Sequence, residues 1–176
     1  MSHKKHLIML LILSLVLILA GCLGNLIPTA PSGTPGQDKA GALYLTPAKL
    51  NTAPSQDFDA QLKIGEVVDF KGYSVTLSYH PAYLQLKEVT EGTFFSSEGE
   101  TFFYQEINNK KGTVLIDCAL LGPNLVASGE GTLAHLSFSC LKAGSTAISF
   151  SLSKTRDAYN KEIETTKENA VVKSKK

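Results

Sequence analysis

Residues 129–152, GEGTLAHLSFSCLKAGSTAISFSL, decide how the chain is read. Apolar side chains recur at every second position, at Ala134, Leu136, Phe138 and Cys140, and again at Ile148, Phe150 and Leu152. A period of two is the mark of a strand with one face on a core and the other in water. Ala143-Gly144 separates the two runs as a turn. Neither strand carries a catalytic pattern of its own.

The same period spreads outward. Leu43 and Leu45 give a short first strand, and Pro47 to Ser55 reads as loop. Phe58, Ala60, Leu62 and Ile64 alternate with Asp59, Gln61 and Lys63 until Gly65 ends the run. Tyr73, Val75, Leu77 and Tyr79 alternate with Ser74, Thr76 and Ser78 until Pro81, which has no N–H to give a ladder. Leu84 and Leu86 begin another strand. Thr101 to Ile107, TFFYQEI, is rich in β-favouring residues, and the five-residue segment Asn108 to Gly112 reads as the hairpin turn into Val114, Ile116 and Cys118, the inward side of the next strand. After residues 129–152 come a loop, Lys154 to Glu162, and a last strand near Ala170 to Val172. Eight or nine short strands, with no helical period after Cys22, predict an all-β sandwich.

The N-terminus has a different grammar. His3, Lys4, Lys5 and His6 precede a 13-residue apolar run, Leu7 to Leu19, broken only by Ser14. That is too short to span a bilayer and has the form of an export signal. Leu19-Ala20-Gly21-Cys22 resembles the bacterial lipobox, which implies cleavage before Cys22 and acylation of its thiol. Two acyl chains would hold the protein to a membrane where one would not. Leu23 to Gly41 then combines three prolines and four glycines with small polar residues and cannot build a core. As a coil it reaches on the order of 25 Å. The predicted organisation is a leader over 1–21, lipidated Cys22 and a tether over 22–41, a sandwich over 42–173 and a basic tail over 174–176.

Several functions lack support in the residues. Without Lys4 and Lys5, fifteen basic side chains face sixteen acidic ones, a net of −1, so there is no nucleic-acid footprint. Beyond Cys22 the only histidines are His80 and His135, without zinc-type spacing to Cys118 or Cys140. His135 and Cys140 are five apart on one strand and point to opposite faces, so His135 is expected to be exposed. No Gly-x-Ser-x-Gly elbow is present, and Glu98, Glu100, Glu106 and Asp117 show no acid–base spacing. Asp157, Asn160 and Glu162 lack the calcium-loop glycine. The reading is no enzyme, no cofactor and no metal. Lys173, Lys175 and Lys176 read as a solvated end.

A family resemblance rests on Gly131-Thr132-Leu133-Ala134-x-Leu136-x-Phe138, then Gly144-x-Thr146-x-Ile148-x-Phe150, with Arg156-Asp157 and Lys161-Glu162-Ile163 behind. Leu77-Ser78-Tyr79-His80-Pro81, Leu84, Leu86 and Gly92 agree upstream. This pattern, over roughly Ala42 to Val172, resembles the bacterial cohesin domain, a protein-binding module of cellulosomal scaffolds. The resemblance implies a nine-stranded jelly-roll sandwich whose partner is a dockerin-bearing protein, often a polysaccharide-degrading enzyme, at the cell surface. Gly72 and Ser74 stand where type I members place an Asn and an Asp used in dockerin contact, and His80 replaces an Asp. Another extracytoplasmic protein is therefore a comparable partner.

The resemblance also implies where a partner docks. Cohesins receive the dockerin on the outer face of the strand holding Val114, Ile116 and Cys118, which gives Leu115, Asp117 and Ala119. Neighbouring strands are expected to add Gln85 and Lys87 on one side and Phe103, Gln105 and Ile107 on the other. The alternative is that Phe103 and Ile107 pack inward. Cys118 and Cys140 share inward parity in an exported chain, on strands that the cohesin arrangement places in facing sheets. They form either a disulfide or two small buried hydrophobes. The rival function is polysaccharide binding, which favours exposed aromatics; the chain has no Trp, leaving Tyr83, Phe94, Phe95 and Phe103 as candidates. For the anchor, Cys22→Ala should block acylation and normal processing, and mass spectrometry of the mature N-terminus checks it; an unmodified Cys22 in the native host contradicts the lipobox reading.

Overall fold

The computed structural model describes residues 39–175, so the leader, Cys22 and the tether lie outside the described residues. Those described form ten strands and one helical turn: β1 (Ala42–Thr46), β2 (Lys49–Thr52), β3 (Asp57–Tyr79), β4 (Leu84–Glu91), α1 (Thr93–Ser96), β5 (Thr101–Asn108), β6 (Thr113–Leu120), β7 (Ala127–Cys140), β8 (Gly144–Asp157), β9 (Thr166–Glu168) and β10 (Ala170–Ser174). They make a sandwich. One layer runs β9-β1-β3-β7-β4 and the other β5-β6-β3-β8-β10-β2. Pairing is antiparallel except for β1 with β9 and β2 with β10.

β3 belongs to both layers. Its first part, Asp57 to Ile64, pairs with β7 and in part with β1, and its second, Gly72 to Tyr79, lies between β6 and β8. Between them the register slips at Val67 and Phe70, and Asp69 takes a φ of 55°. The chain doubles back there: the Tyr79 ring meets Phe138 edge-on at 5.3 Å, and Phe138 stacks on Phe58 at 5.5 Å. The runs Phe58–Ile64 and Tyr73–Tyr79, read as separate strands, are thus two arms of one folded element. Inside the fold Phe70 is fully buried, with ring centroids of Phe95, Phe94 and Tyr73 at 5.1, 6.1 and 6.3 Å. Tyr73 donates its hydroxyl to the Leu133 carbonyl at 3.0 Å across the core, which satisfies its polar end.

The core between the layers takes Leu43, Leu45, Leu62 and Ile64 from one side and Val75, Leu77, Val114 and Ile116 from the other, none more than 1 % exposed. The alternation behind these residues is the one legible in the sequence. Four short features escaped it, the first being β9, whose side chains are all exposed and which is held by backbone pairing to β1. β2 lies in the stretch read as loop, because it is held by backbone pairing to β10 and its side chains are only exposed or half-buried. β8 continues to Asp157, beyond the predicted loop start, and β10 runs on to Ser174. The sandwich class holds, with ten strands where the resemblance implied nine.

Phe70→Ala would leave a void at the fold of β3 that neither layer can fill by moving alone. It should cost about 3–5 kcal/mol of stability, read by denaturant titration.

Candidate docking face

β6 alternates strictly. Val114, Ile116 and Cys118 are buried, while Leu115, Asp117 and Ala119 are half-buried on the opposite, outer face. The neighbours of β6 are β3 and β5. On β3 the outer residues are Gly72 opposite Ala119, Ser74 opposite Asp117 and Thr76 opposite Leu115. On β8 these same three face Arg156, Lys154 and Leu152.

β5 corrects the expected face. Phe103 lies opposite Cys118, Gln105 opposite Ile116 and Ile107 opposite Val114, so all three share the inward phase. Phe103 and Ile107 are half-buried and pack on the core, while Gln105, at the sheet edge, still meets solvent. The outer residues are Phe102, Tyr104 and Glu106. The physical reason is turn length. Asn108 pairs with Thr113, so the loop holds four residues rather than five, and a one-residue change in register sends every side chain to the other face. TFFYQEI has large apolar groups in both phases, so composition could not expose the slip.

Gln85 and Lys87 are a second correction. Both are exposed, but β4 pairs with β7 and belongs to the other layer, where the Lys87 ammonium lies 2.7 Å from the Asp57 carboxylate. This pair holds the Asp57 carboxyl below its ordinary value. It plays no part in the β6 face.

The outer face of β5-β6-β3-β8 has three large apolar side chains in water: Phe102 (54 % exposed), Leu152 (47 %) and Tyr104 (44 %). Beside Phe102 lies a depression of about 440 Å³, lined by Gly72, Ser74 and Ala119 on β3 and β6 and by Lys154 and Arg156 on β8. The floor is low because its residues are small. Basic groups stand along β8 and acidic ones, Asp117 and Glu106, along β6 and β5. Asp117 Oδ1 is shielded from water and has no hydrogen-bond partner. At one end the Lys71 ammonium donates to the carbonyls of Gly122 and Leu125, fixing the β6–β7 loop beside the face. Sequence reasoning missed Phe102, Tyr104, Lys154 and Arg156, and it read Leu152 as inward with Ile148 and Phe150; the register shift between Thr76 and Leu77 turns Leu152 outward, while a correct turn length, counted back from Cys118, finds the two on β5.

Of the two readings of the thiols, the structure has the small buried hydrophobes: Cys118 and Cys140 are both free and buried. Cys118 lies opposite Tyr73, toward the fold of β3, whereas Cys140 lies opposite Leu84 at the other end of the sandwich. Facing sheets are not enough when the positions along them differ. The Cys118 thiol donates toward Glu91 Oε1 at 3.6 Å, and Glu91 also accepts from Thr101 at 3.0 Å. Burial, with the Glu91 carboxylate alongside, pushes the Cys118 thiol up to about 12, which keeps it protonated and a poor nucleophile. His135 is exposed and Cys140 buried, as their spacing requires. Among the described residues no His, Cys, Asp and Glu cluster could hold a metal, and no helix is long and apolar enough to cross a membrane. The candidate sugar platform does not form: Phe94 and Phe95 are core residues, and Tyr83 and Phe103 are half-buried against it.

The sandwich and its open outer face are those of a protein-binding module. The cohesin domain family matches residues 44–173, and the chain belongs to that family. Similar solved structures include a type II cohesin domain from the cellulosome of Acetivibrio cellulolyticus, at 18 % identity and a TM-score of 0.68 over 76 % of this chain and 95 % of that one. A non-cellulosomal cohesin from the hyperthermophilic archaeon Archaeoglobus fulgidus gives 15 % and 0.65 over 77 % and 91 %. A type I cohesin–dockerin complex from Clostridium thermocellum gives 12 % and 0.65 over 76 % and 98 %. No curated protein matches. At these identities the structural likeness establishes fold alone; cohesins as a family are non-catalytic interaction modules.

Because its native thiol is shifted upward, Cys118 should leave stability intact near neutrality and withdraw it as the pH rises from the ordinary thiol value near 9 toward about 12, where the unfolded chain ionises first. The stability gap between wild type and Cys118→Ala should therefore narrow over that range in denaturant titrations. A gap independent of pH contradicts it.

Proposed function

We propose that the protein is a lipid-anchored, extracytoplasmic cohesin that binds a partner protein on the outer face of β5-β6-β3-β8 and performs no chemistry. The observation that carries this is Phe102 and Tyr104 on β5 and Leu152 on β8, large and exposed on one sheet face, with half-buried Leu115 and the small residues Gly72, Ser74 and Ala119 on the two strands between. Apolar anchors rimmed by charge are the anatomy of a docking patch. Leu115, Asp117 and Ala119 keep their proposed role; Phe102 and Tyr104 take the place of Phe103 and Ile107. Dockerin complexes among the similar structures support a dockerin-bearing partner, and a non-cellulosomal cohesin among them supports a wider range. Gly72 and Ser74 favour a contact by shape over the polar contact that the type I pattern implies.

Polysaccharide binding is the second reading, favoured by Phe102 and Tyr104 alone, two exposed rings two residues apart on β5. The discriminating experiment passes the host's secreted and surface proteins over the immobilised full chain, with a polysaccharide panel in parallel. A single protein captured in proportion is the expected outcome, and binding only to a polysaccharide removes the docking assignment. Leu115→Arg and Phe102→Arg should each weaken the protein complex at least about 30-fold, or about 2 kcal/mol, with the fold intact by circular dichroism. Gln85→Arg, on the other layer, should leave affinity unchanged; equal losses in all three would show that the face is misassigned.

A further inference from the structure

Each layer of the sandwich ends in strands with one unpaired side, and such a strand is a template for another unless something blunts it. Three of the four edges, β9, β2, β4 and β5, are blunted. β9 has three residues, all exposed, two of them Lys167 and Glu168. β2 has four and lies between Pro47 and Pro54. β4 is longer, but its register shifts between Leu86 and Glu88, and Lys87, Glu88 and Glu91 set charges along it. β5 has none of these devices. It pairs with β6 without a shift, and its sequence, TFFYQEIN, has no proline, no lysine and a single charge, Glu106.

The register shows which backbone groups of β5 are free. Leu121 N–H donates to the Glu100 carbonyl at 2.8 Å, one position before Thr101 pairs with Leu120. Opposite residues in an antiparallel ladder alternate between exchanging both hydrogen bonds and exchanging none. Phe102, Tyr104, Glu106 and Asn108 therefore bond to β6, while Thr101, Phe103, Gln105 and Ile107 turn both N–H and C=O outward. None of these outward groups has a backbone partner among the described residues. The other layer leaves this edge open, since Gln105 is exposed although it shares the inward phase.

We propose that β5 pairs antiparallel with β5 of a second copy of this chain, across a two-fold axis at Tyr104. The four outward residues are symmetric about Tyr104, so this register gives each of them a partner, Thr101 with Ile107 and Phe103 with Gln105, in both directions. A shift of two residues either way carries Thr101 or Ile107 past the end of the ladder. A shift of one sets outer side chains opposite inner ones, which a two-fold axis normal to the sheet does not allow. The side chains agree with the symmetric register. On the outer face Tyr104 meets its own copy in a closely spaced pair, and Glu106 lies opposite Phe102 rather than a second carboxylate. On the inner phase, Gln105 and Thr101 of the other copy cover the half-buried Phe103 and Ile107. A second copy is favoured over a foreign strand because this one sequence supplies both members of every pair. The product is a continuous sheet with two outer faces side by side, which would give avidity toward a partner with two binding segments. The pairing concerns the edge of β5 and does not rest on the docking reading.

The test uses the full chain carrying Cys22→Ala, in a non-ionic detergent, with sedimentation equilibrium as the readout. A monomer–dimer equilibrium with a dissociation constant below about 1 mM is expected. Gln105→Pro removes an outward N–H and spares the β5–β6 ladder, so it should weaken the dimer at least about 10-fold with an unchanged melting temperature. Tyr104→Arg should weaken it as much, because it sets two cations opposite each other. An equimolar mixture of Tyr104→Arg and Tyr104→Glu should then restore the dimer as the mixed species, which decides the matter even if Gln105→Pro does not fold. Oxidation should cross-link Tyr104→Cys to its own copy, since closely spaced opposite positions suit a disulfide, and should leave Glu106→Cys uncross-linked. Self-association through the leader would persist in every variant. Monomer at all concentrations, a dimer unaffected by these substitutions, or no rescue in the mixture overturns the proposal. Phe102→Arg, opposite Glu106 of the other copy, should keep the dimer while it weakens docking, so the two readings fail separately.

Discussion

One segment, Asp57–Tyr79, hydrogen-bonds to four other strands and supplies the middle of both layers. Its reversal cannot be a free hinge, because the backbone groups of both arms are committed to ladders that fix their direction. What closes it is a cluster of aromatic rings, with Phe70 at the centre and Phe94 and Phe95 delivered by the one helical turn of the domain. The rings bury enough apolar surface to hold two layers together where the ladder slips register. Strands on either side of β3 then have no choice of sheet.

The docking face follows from that arrangement. With the second arm of β3 between β6 and β8, the outer residues of four strands are set opposite one another by register, and the small residues of β3 form the floor. Gly72 is confined by its neighbours: a Cβ there would sit 3.0 Å from the Cys118 carbonyl oxygen and 3.2 Å from Ala119 Cβ. A larger side chain would have to move β6. The low floor is thus as much a condition of close strand packing as a feature of recognition.

Charge is distributed on a different principle from shape. Each layer alternates apolar and polar groups, but the far turns gather exposed lysines, while the end where β3 folds over mixes Glu66, Asp69 and Glu130 with Lys71 and Arg156. Folding creates this by bringing together turns that are separated in the chain. The C-terminal lysines, which taken alone are a solvated tail, become part of a larger field only because β10 lies against β8.

Alternation by itself determined the class of fold, the inward set on β6, the burial of Cys140 and the exposure of His135, because a period of two assigns faces without reference to any partner. The reading of residues 1–21 as a leader ending at Cys22 is also one of local pattern, and it rests on sequence alone. Faces relative to neighbours were a different matter. The outer residues of β5 depended on whether a turn held four residues or five, and the layer of β4 depended on pairing with β7, which no feature of Gln85 or Lys87 records. The free state of Cys118 and Cys140 depended on distance along the sandwich, not on parity. Register, sheet membership and proximity between distant turns come from long-range backbone pairing, and only the tertiary structure decides them.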